Sequence, residues 1–340
     1  MTIRLPICLA AVLAWLQVAA LPTKAAAEDA FFRGKTITII IPIGPGGAYD
    51  AYARLIARHL ARFLPGDPTV IARNMPGAGG VIASNYLYNA APQDGTTLSI
   101  ITSTFASEEL FANPQIRYDS RRFLAVGRLA DTTSVLFFWH ASPIKTLQDM
   151  LTKPSTVAIS SVHEIPAYRL QAMNAFLGTS IKMIPGYPSA RDYVLAVERG
   201  ETDGGTSTFV GLSQFYSTYL EEKKLNVLVQ FSIKRDPVMP DVPAIVELIK
   251  DPEEKQIFRQ LVSNDEIGRA LFTTPNVPPE RLGQLRSAFQ AMVADLQFRS
   301  DAAQLHLPLA VQSGEQMQRV VGDMFDVSPA MLAKLRGLAK

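Results

Sequence analysis

Cysteine is almost absent. Of 340 residues one is cysteine, Cys8, and it lies in a stretch expected to be removed. A chain without a thiol pair has no disulfide framework, no cysteine-ligated zinc and no thiol nucleophile. Histidine is scarce too: His59, His140, His163 and His306 stand far apart. His163-Glu164 would need a histidine at Ala167 to make His-Glu-x-x-His. No metal and no cofactor is expected. No Gly-x-Ser-x-Gly elbow occurs, because Gly205-Thr206-Ser207-Thr208-Phe209 ends in phenylalanine. A dinucleotide loop would require a third glycine at Tyr49 or Ile82, and no Walker lysine follows either glycine turn. No acid–base, metal or nucleophilic constellation remains, so no catalytic residues are assigned.

Long runs of one charge are also missing, which argues against nucleic acid and anionic membrane as partners. After the first twenty-odd residues no apolar run is long enough to span a bilayer. Neither a fixed-period repeat nor a low-complexity segment occurs. Residues 1–27 read as a Sec-type signal peptide: Arg4 is the basic start, Ile7 to Ala20 the apolar run, and Ala25-Ala26-Ala27 the small residues before cleavage. The rival reading, a membrane anchor, fits Pro22 and Lys24 less well. The leader holds two of the 33 Lys and Arg and none of the 31 Asp and Glu, so the mature chain balances. An exported chain without disulfides relies on its core, and its length suffices for one.

What is present is a pair of glycine turns. Ile41-Pro42-Ile43-Gly44-Pro45-Gly46-Gly47-Ala48-Tyr49-Asp50 follows one β-branched run, and Asn74-Met75-Pro76-Gly77-Ala78-Gly79-Gly80 follows another. Glycine permits a sharp turn with N–H groups at the surface. A helix N-terminus adds unpaired donors and about half a positive charge. Two such turns side by side make a cradle for one small anion. The runs 36–42, 69–73 and 98–102 read as strands, and 50–64 and 81–91 as helices. That alternation predicts a parallel sheet with ligands at the strands' carboxyl ends. Further strands are expected at 135–139, 157–161, 181–184 and 226–232, with helices at 167–177 and 189–198, and the length suggests two domains.

The ordered pieces Ile41-Pro42 with Pro45-Gly46-Gly47 and Asp50, Asn74 with Pro76-Gly77-Ala78-Gly79-Gly80, Ala91-Pro92 with Asp94-Gly95, Pro185 with Tyr187, Gly200 with Asp203, and Lys234-Arg235 with Pro240-Asp241-Val242-Pro243 carry a resemblance. They are similar to the solute-binding receptors of tripartite tricarboxylate transporters, the TctC or Bug family. The resemblance implies an α/β, type II periplasmic binding protein fold with two lobes and a ligand cleft between them. It implies lobe 1 from 28–130 with a return at 233–340 including the C-terminal helices, and lobe 2 from 131–232. It further implies a monomeric periplasmic receptor that holds a small organic carboxylate on the backbone N–H groups of both turns and passes it to membrane permease subunits. A ligand sensor for a two-component system and an enzyme on the same fold are the alternatives.

The candidate contacts are Ile43, Gly46, Gly47, Ala48, Tyr49 and Asp50 in the first turn, and Ala78, Gly79 and Gly80 in the second. At strand ends they are Ser103, Thr104, Phe105, Ser160, Ser161, Thr206 and Ser207; in loops, His163 and Tyr187. Each has a plainer reading. Asp50 suits a local role, bonding backbone N–H groups at a helix start, because a carboxylate repels an anion. The hydroxyls suit turn caps, and Phe105 and Tyr187 suit core. His163 fits either an anion or solvent. In the family, Tyr49 is often Thr or Asn and Ile43 often Phe. The turn after the 157–161 strand is usually rich in glycine and serine, unlike Val162 to Pro166, and an acid that holds an amino group aligns with Ser207. These departures favour a carboxylate without an amino group and with an apolar or aromatic body.

Overall fold

The computed structural model describes residues 31–162, 165–187 and 190–338. The expected signal peptide, 1–27, lies outside the described residues, as does His163. The strands are β1 (Thr36–Ile41), β2 (Thr69–Asn74), β3 (Thr97–Ile100), β4 (Leu124–Arg128), β5 (Ser134–Trp139), β6 (Pro154–Ala158), β7 (Ser180–Ile184), β8 (Gly204–Thr208), β9 (Leu225–Phe231), β10 (Ala270–Thr273) and β11 (Gln312–Ser313).

Three consecutive residues of β1, Ile39, Ile40 and Ile41, are buried. A strand covered on one face would expose alternate residues; this one is covered on both. The helix Ala48–His59 leads to β2, and the helix Val81–Asn89 leads to β3. Both strands pair with β1 in parallel, one on each side. Right-handed crossovers in opposite directions place the two helices on opposite faces. Tyr52, Leu55 and Ile56 pack with Ile37 and Ile39, whereas Leu87 packs with Ile101 in a separate core. Strand order therefore reverses at β1, and the crevice at its carboxyl end is where such sheets take ligands.

The sheet continues β11-β4-β10-β3-β1-β2. It is mixed rather than parallel, because β10 runs antiparallel between β3 and β4. That strand arrives from the second lobe without a crossover helix, so nothing forces it to run parallel. The second sheet, β7-β6-β8-β5-β9, repeats the plan. β6 has parallel neighbours on both sides, and β5 runs antiparallel to β8 and β9.

The boundary expected at 233 moves. Ile245, Phe258 and Leu261 pack in one core with Leu136, Val157 and Val229 of the second sheet. The sheet face around Val229 needs an apolar cover, and the helix Pro252–Ile267 supplies it. The prolines at 237, 240 and 243 mark a turn on this lobe, not its end; the Gln230 N–H donates to the Pro243 carbonyl at 3.0 Å. The chain crosses between lobes at 129–133 and returns at 268–269. There the Leu129 N–H donates to the Arg269 carbonyl at 3.0 Å, and the Arg269 N–H to Ala130 at 2.6 Å. Gly268 has φ +52, and a Cβ on it would lie 2.1 Å from the Ala130 carbonyl oxygen. Only glycine lets the two crossings run this close.

Candidate functional site

β1 and β2 end level with each other. The Met75 N–H donates to the Ile41 carbonyl at 2.7 Å, extending the ladder past β2. Both glycine turns therefore leave the sheet side by side. Gly47 is the N-cap of the helix Ala48–His59 and brings no side-chain acceptor. Gly80 caps the helix Val81–Asn89 in the same way, with φ +100. Neither helix start has a capping side chain; at the second, the tight turn Ala78–Gly80 runs straight into the helix and the Val81 N–H already donates to the Ala78 carbonyl, so an outside acceptor finds open first-turn donors mainly at the first. Not every expected donor is among them. The Gly46 N–H goes to Asp50 Oδ2 at 3.1 Å, and the Gly80 N–H to the Gly77 carbonyl at 3.0 Å.

The second turn is wound tightly. Ala78 has φ +47, a conformation that costs a non-glycine residue roughly 1–2 kcal/mol. Gly80 fits because a Cβ would come within 2.7 Å of Thr102 Cγ2 and 3.2 Å of Pro42 Cβ. The turn is thereby clamped between the root of the first turn and the end of β3. Gly79, by contrast, has open space where a side chain would be.

Asp50 ties the two turns together. Its carboxylate accepts from the Gly46 N–H, from Arg54 Nε at 3.0 Å and from Asn74 Nδ2 at 3.0 Å. Asn74 Nδ2 also donates to the Ile43 carbonyl at 3.0 Å, and Arg54 Nη2 donates to Asn74 Oδ1 at 2.9 Å. Bonding to the Arg54 guanidinium, helped by Asn74 and Gly46 against the cost of burial, holds the carboxyl at about 2. Asp50 thereby fixes the first turn against the end of β2. Arg54 and Asn74 share that work; the sequence marks Asn74 only as the start of the second glycine motif and does not mark Arg54.

The end of β3 adds a third wall. The Ser103 N–H donates to the Tyr49 hydroxyl at 3.0 Å. The Arg269 guanidinium stacks on the Tyr49 ring, 4.0 Å from its centre. Thr104 is half-buried. Phe105 is core: it is 1% exposed and packs against Tyr118, Phe123 and Phe272. As a pocket wall it is corrected, since the aromatic cluster under β3 absorbs its ring.

In the second lobe, Ser160 and Ser161 follow β6, which starts and ends earlier than its sequence pattern suggested. The Ser160 carbonyl accepts the Gly186 N–H at 3.3 Å. Tyr187 packs against the core around Phe137, and its hydroxyl donates to Glu201 at 3.0 Å. Thr206 and Ser207 are successive on β8 and so face opposite sides of the sheet; Thr206 is buried and Ser207 half-buried. The lobes also touch where Gln214 Nε2 donates to the His306 carbonyl at 2.8 Å.

A cavity of about 350 Å³ opens elsewhere on the hinge, among Arg128, Asp131, Asp236, Asp265, Glu266 and Gln312. Burial raises the carboxyls of Asp131 and Glu266 above their ordinary range. Lys234 and Arg235 line it as well, so its walls carry three cations and four acids and mark it for neither sign of charge. His59 is likewise structural, bonded to Asp301 at 2.9 Å and to Arg62. Among the described residues no helix is long and apolar enough to cross a membrane.

Known proteins agree with this architecture. The chain matches the family model described as tripartite tricarboxylate transporter family receptor over residues 52–336. A Pseudomonas sp. (strain P51) protein, the UPF0065 protein in the tcbD-tcbE intergenic region, is 30% identical over 236 residues, 66% of each chain. The structure resembles a TctC solute binding protein from Polaromonas with a TM-score of 0.68 at 20% identity, covering 89% of this chain and 97% of that one. It also resembles MatC from Rhodopseudomonas palustris with bound malate, with a TM-score of 0.62 at 20% identity, covering 90% and 99%. Two α/β lobes, a mixed sheet in each and paired glycine turns at the point of strand reversal go with the family match: the chain belongs to the tripartite tricarboxylate transporter receptor family of solute-binding proteins.

Proposed function

We propose that this chain is a periplasmic receptor, exported by removal of residues 1–27, that takes up a small organic carboxylate between its lobes. It releases that cargo to the membrane subunits of a tripartite tricarboxylate-type transporter and works as a monomer. The observation that carries the reading is the pair of uncapped helix starts at the adjoining ends of β1 and β2, held in register by Asp50, Asn74 and Arg54. Backbone donors of this kind favour a carboxylate, and a few charge-assisted hydrogen bonds of about 1.5–3 kcal/mol each suffice for micromolar affinity. MatC, the structural neighbour with bound malate, supports the same ligand class. Asp50 is committed to three donors, so among the described residues of the cradle an amino group finds no free acid; Glu164, outside the described residues, is the acid that could substitute.

Thermal shift followed by calorimetry on the mature protein tests this. Succinate and malate at about 100 times Kd should stabilise by roughly 2.7 kcal/mol, a rise of about 5 °C or more. Succinate should bind more tightly than aspartate. If aspartate binds more tightly, or if no carboxylate raises the melting temperature, the reading fails.

A further inference from the structure

We infer that Arg269 is a second anchor in the cleft, and that the ligand is a dicarboxylate with its far carboxylate on this guanidinium. The inference rests on the cradle reading above for the near carboxylate.

Arg269 sits where the returning chain enters β10. Leu271 pairs with Ile100 across β10 and β3, and Ile40 with Ser99 across β1 and β3. Continuing both registers sets Arg269 level with Thr102 and Ile43, at the end of the sheet that carries the glycine turns. β10 lies two strands from β1, about 10 Å at the usual spacing, a span for an extended diacid of about four to six carbons.

The side chain is half-buried and has no acidic partner among the described residues. Its Nη1 donates to Thr132 Oγ1 at 2.9 Å, and its face lies on Tyr49. Its Nε is buried with no acceptor at all. A partly desolvated cation with an unused donor is unfavourable unless an anion completes it. Stacking on Tyr49 orients the guanidinium but leaves the Nε–H unsatisfied. A carboxylate in the cleft would supply the missing counter-charge to the half-buried guanidinium, in the planar geometry that arginine favours. Of the other cations near the hinge, Arg169 pairs with Asp265, Arg128 with Asp131 and Arg235 with Glu247, while Lys234 lines the separate hinge cavity. Tyr49 gains a reason as well, since its hydroxyl on the Ser103 N–H fixes the ring that carries Arg269.

The test uses the mature protein and matched acids: succinate with butyrate, glutarate with pentanoate, adipate with hexanoate. Wild type should bind at least one dicarboxylate about tenfold or more tightly than its monocarboxylate partner, the worth of one charge-assisted bond. Arg269→Gln should erase that preference by weakening the diacid about ten- to hundredfold while the monoacid changes less than twofold. Arg269→Lys, which keeps the charge without the planar fork, should retain part of it. Circular dichroism melts establish that each variant is folded. Equal weakening of both acids by Arg269→Gln would overturn the proposal, because Arg269 would then only prop Tyr49 or share the near carboxylate. So would a wild type that shows no diacid preference or binds none of the six. Gly47→Val separates the two readings: loss of both acids supports the cradle, whereas unchanged binding removes the cradle and leaves the Arg269 result to stand by itself.

Discussion

Replacing Asp50 with asparagine removes one charge and keeps the side chain's shape. The structure allows the effect to be worked out in two ways. First, three donors converge on the carboxylate: Gly46 N–H, Arg54 Nε and Asn74 Nδ2. Asparagine offers one acceptor oxygen and turns an amide against the remaining donors; one unsatisfied buried donor costs about 1–3 kcal/mol. Second, a carboxyl at about 2 in the folded protein, against an ordinary 3.8, implies about 2.5 kcal/mol of stabilisation at neutral pH. Solvent at Arg54, 48% exposed, reduces that to about 1–2 kcal/mol. The two routes agree near 2 kcal/mol. The sign follows from the depressed folded-state value. The contribution is complete above the unfolded value near pH 4 and is lost as pH falls toward 2. Urea unfolding of wild type and Asp50→Asn at pH 7, 4 and 3 measures it. The gap should be about 2 kcal/mol at pH 7 and should shrink to roughly half by pH 3. Calorimetry at pH 7 should also show succinate binding weakened about tenfold, as one charge-assisted bond's worth of order leaves the turns. A gap that is the same at pH 7 and pH 3, or an unchanged Kd for succinate, would refute the assignment of Asp50 as the tie between the turns.

Arg169 is 2% exposed and bonds the Leu261 carbonyl and Asp265; Arg169→Met should leave that largely buried acid with the Ser134 N–H but no cation, cost about 3 kcal/mol and lower Tm by about 10 °C in a melt. Phe105→Leu should lower Tm through lost packing yet leave carboxylate Kd within twofold, and a large change in Kd would return Phe105 to the pocket. Solution scattering should give a smaller radius of gyration with saturating succinate than without, as two lobes on a paired crossing close on their cargo; identical curves with binding proven separately would mean a rigid or pre-closed cleft.

The local half of this fold is readable in the sequence. β1 and β2 are β-branched runs that end in glycine turns, and the helices after them carry their own periodicity, so neighbours in sequence decide the outcome. Asp50 is legible as a carboxylate at a helix start for the same reason. What escapes is decided from far away. β10 is four residues long, and its place between β3 and β4 depends on partners more than a hundred residues upstream. The resemblance implies a lobe boundary just after β9, yet the apolar face of Pro252–Ile267 packs in the second core. Phe105 looks like a rim residue until Tyr118, Phe123 and Phe272 surround it. Nothing near Arg269 in sequence announces that it lies over Tyr49, because that contact is made across the sheet.

The insertion of β10 between β3 and β4 has a consequence for how the protein is made. β4 has β10 and β11 as its sheet neighbours. If the chain is exported unfolded, β4 emerges on the far side of the membrane while the middle of the chain is still crossing, and it then has no strand to pair with. The second sheet has all five of its strands by Phe231 and its helical cover by Ile267, so it can close as a unit first. The lobe that begins the polypeptide would then be the last to finish. Until Thr273 emerges, β3 and β4 present open edges, the kind of surface that invites aggregation. A chaperone that shields unfolded chains as they leave the export channel would be needed most during that interval, and truncations ending before residue 270 should precipitate although they contain the whole glycine cradle.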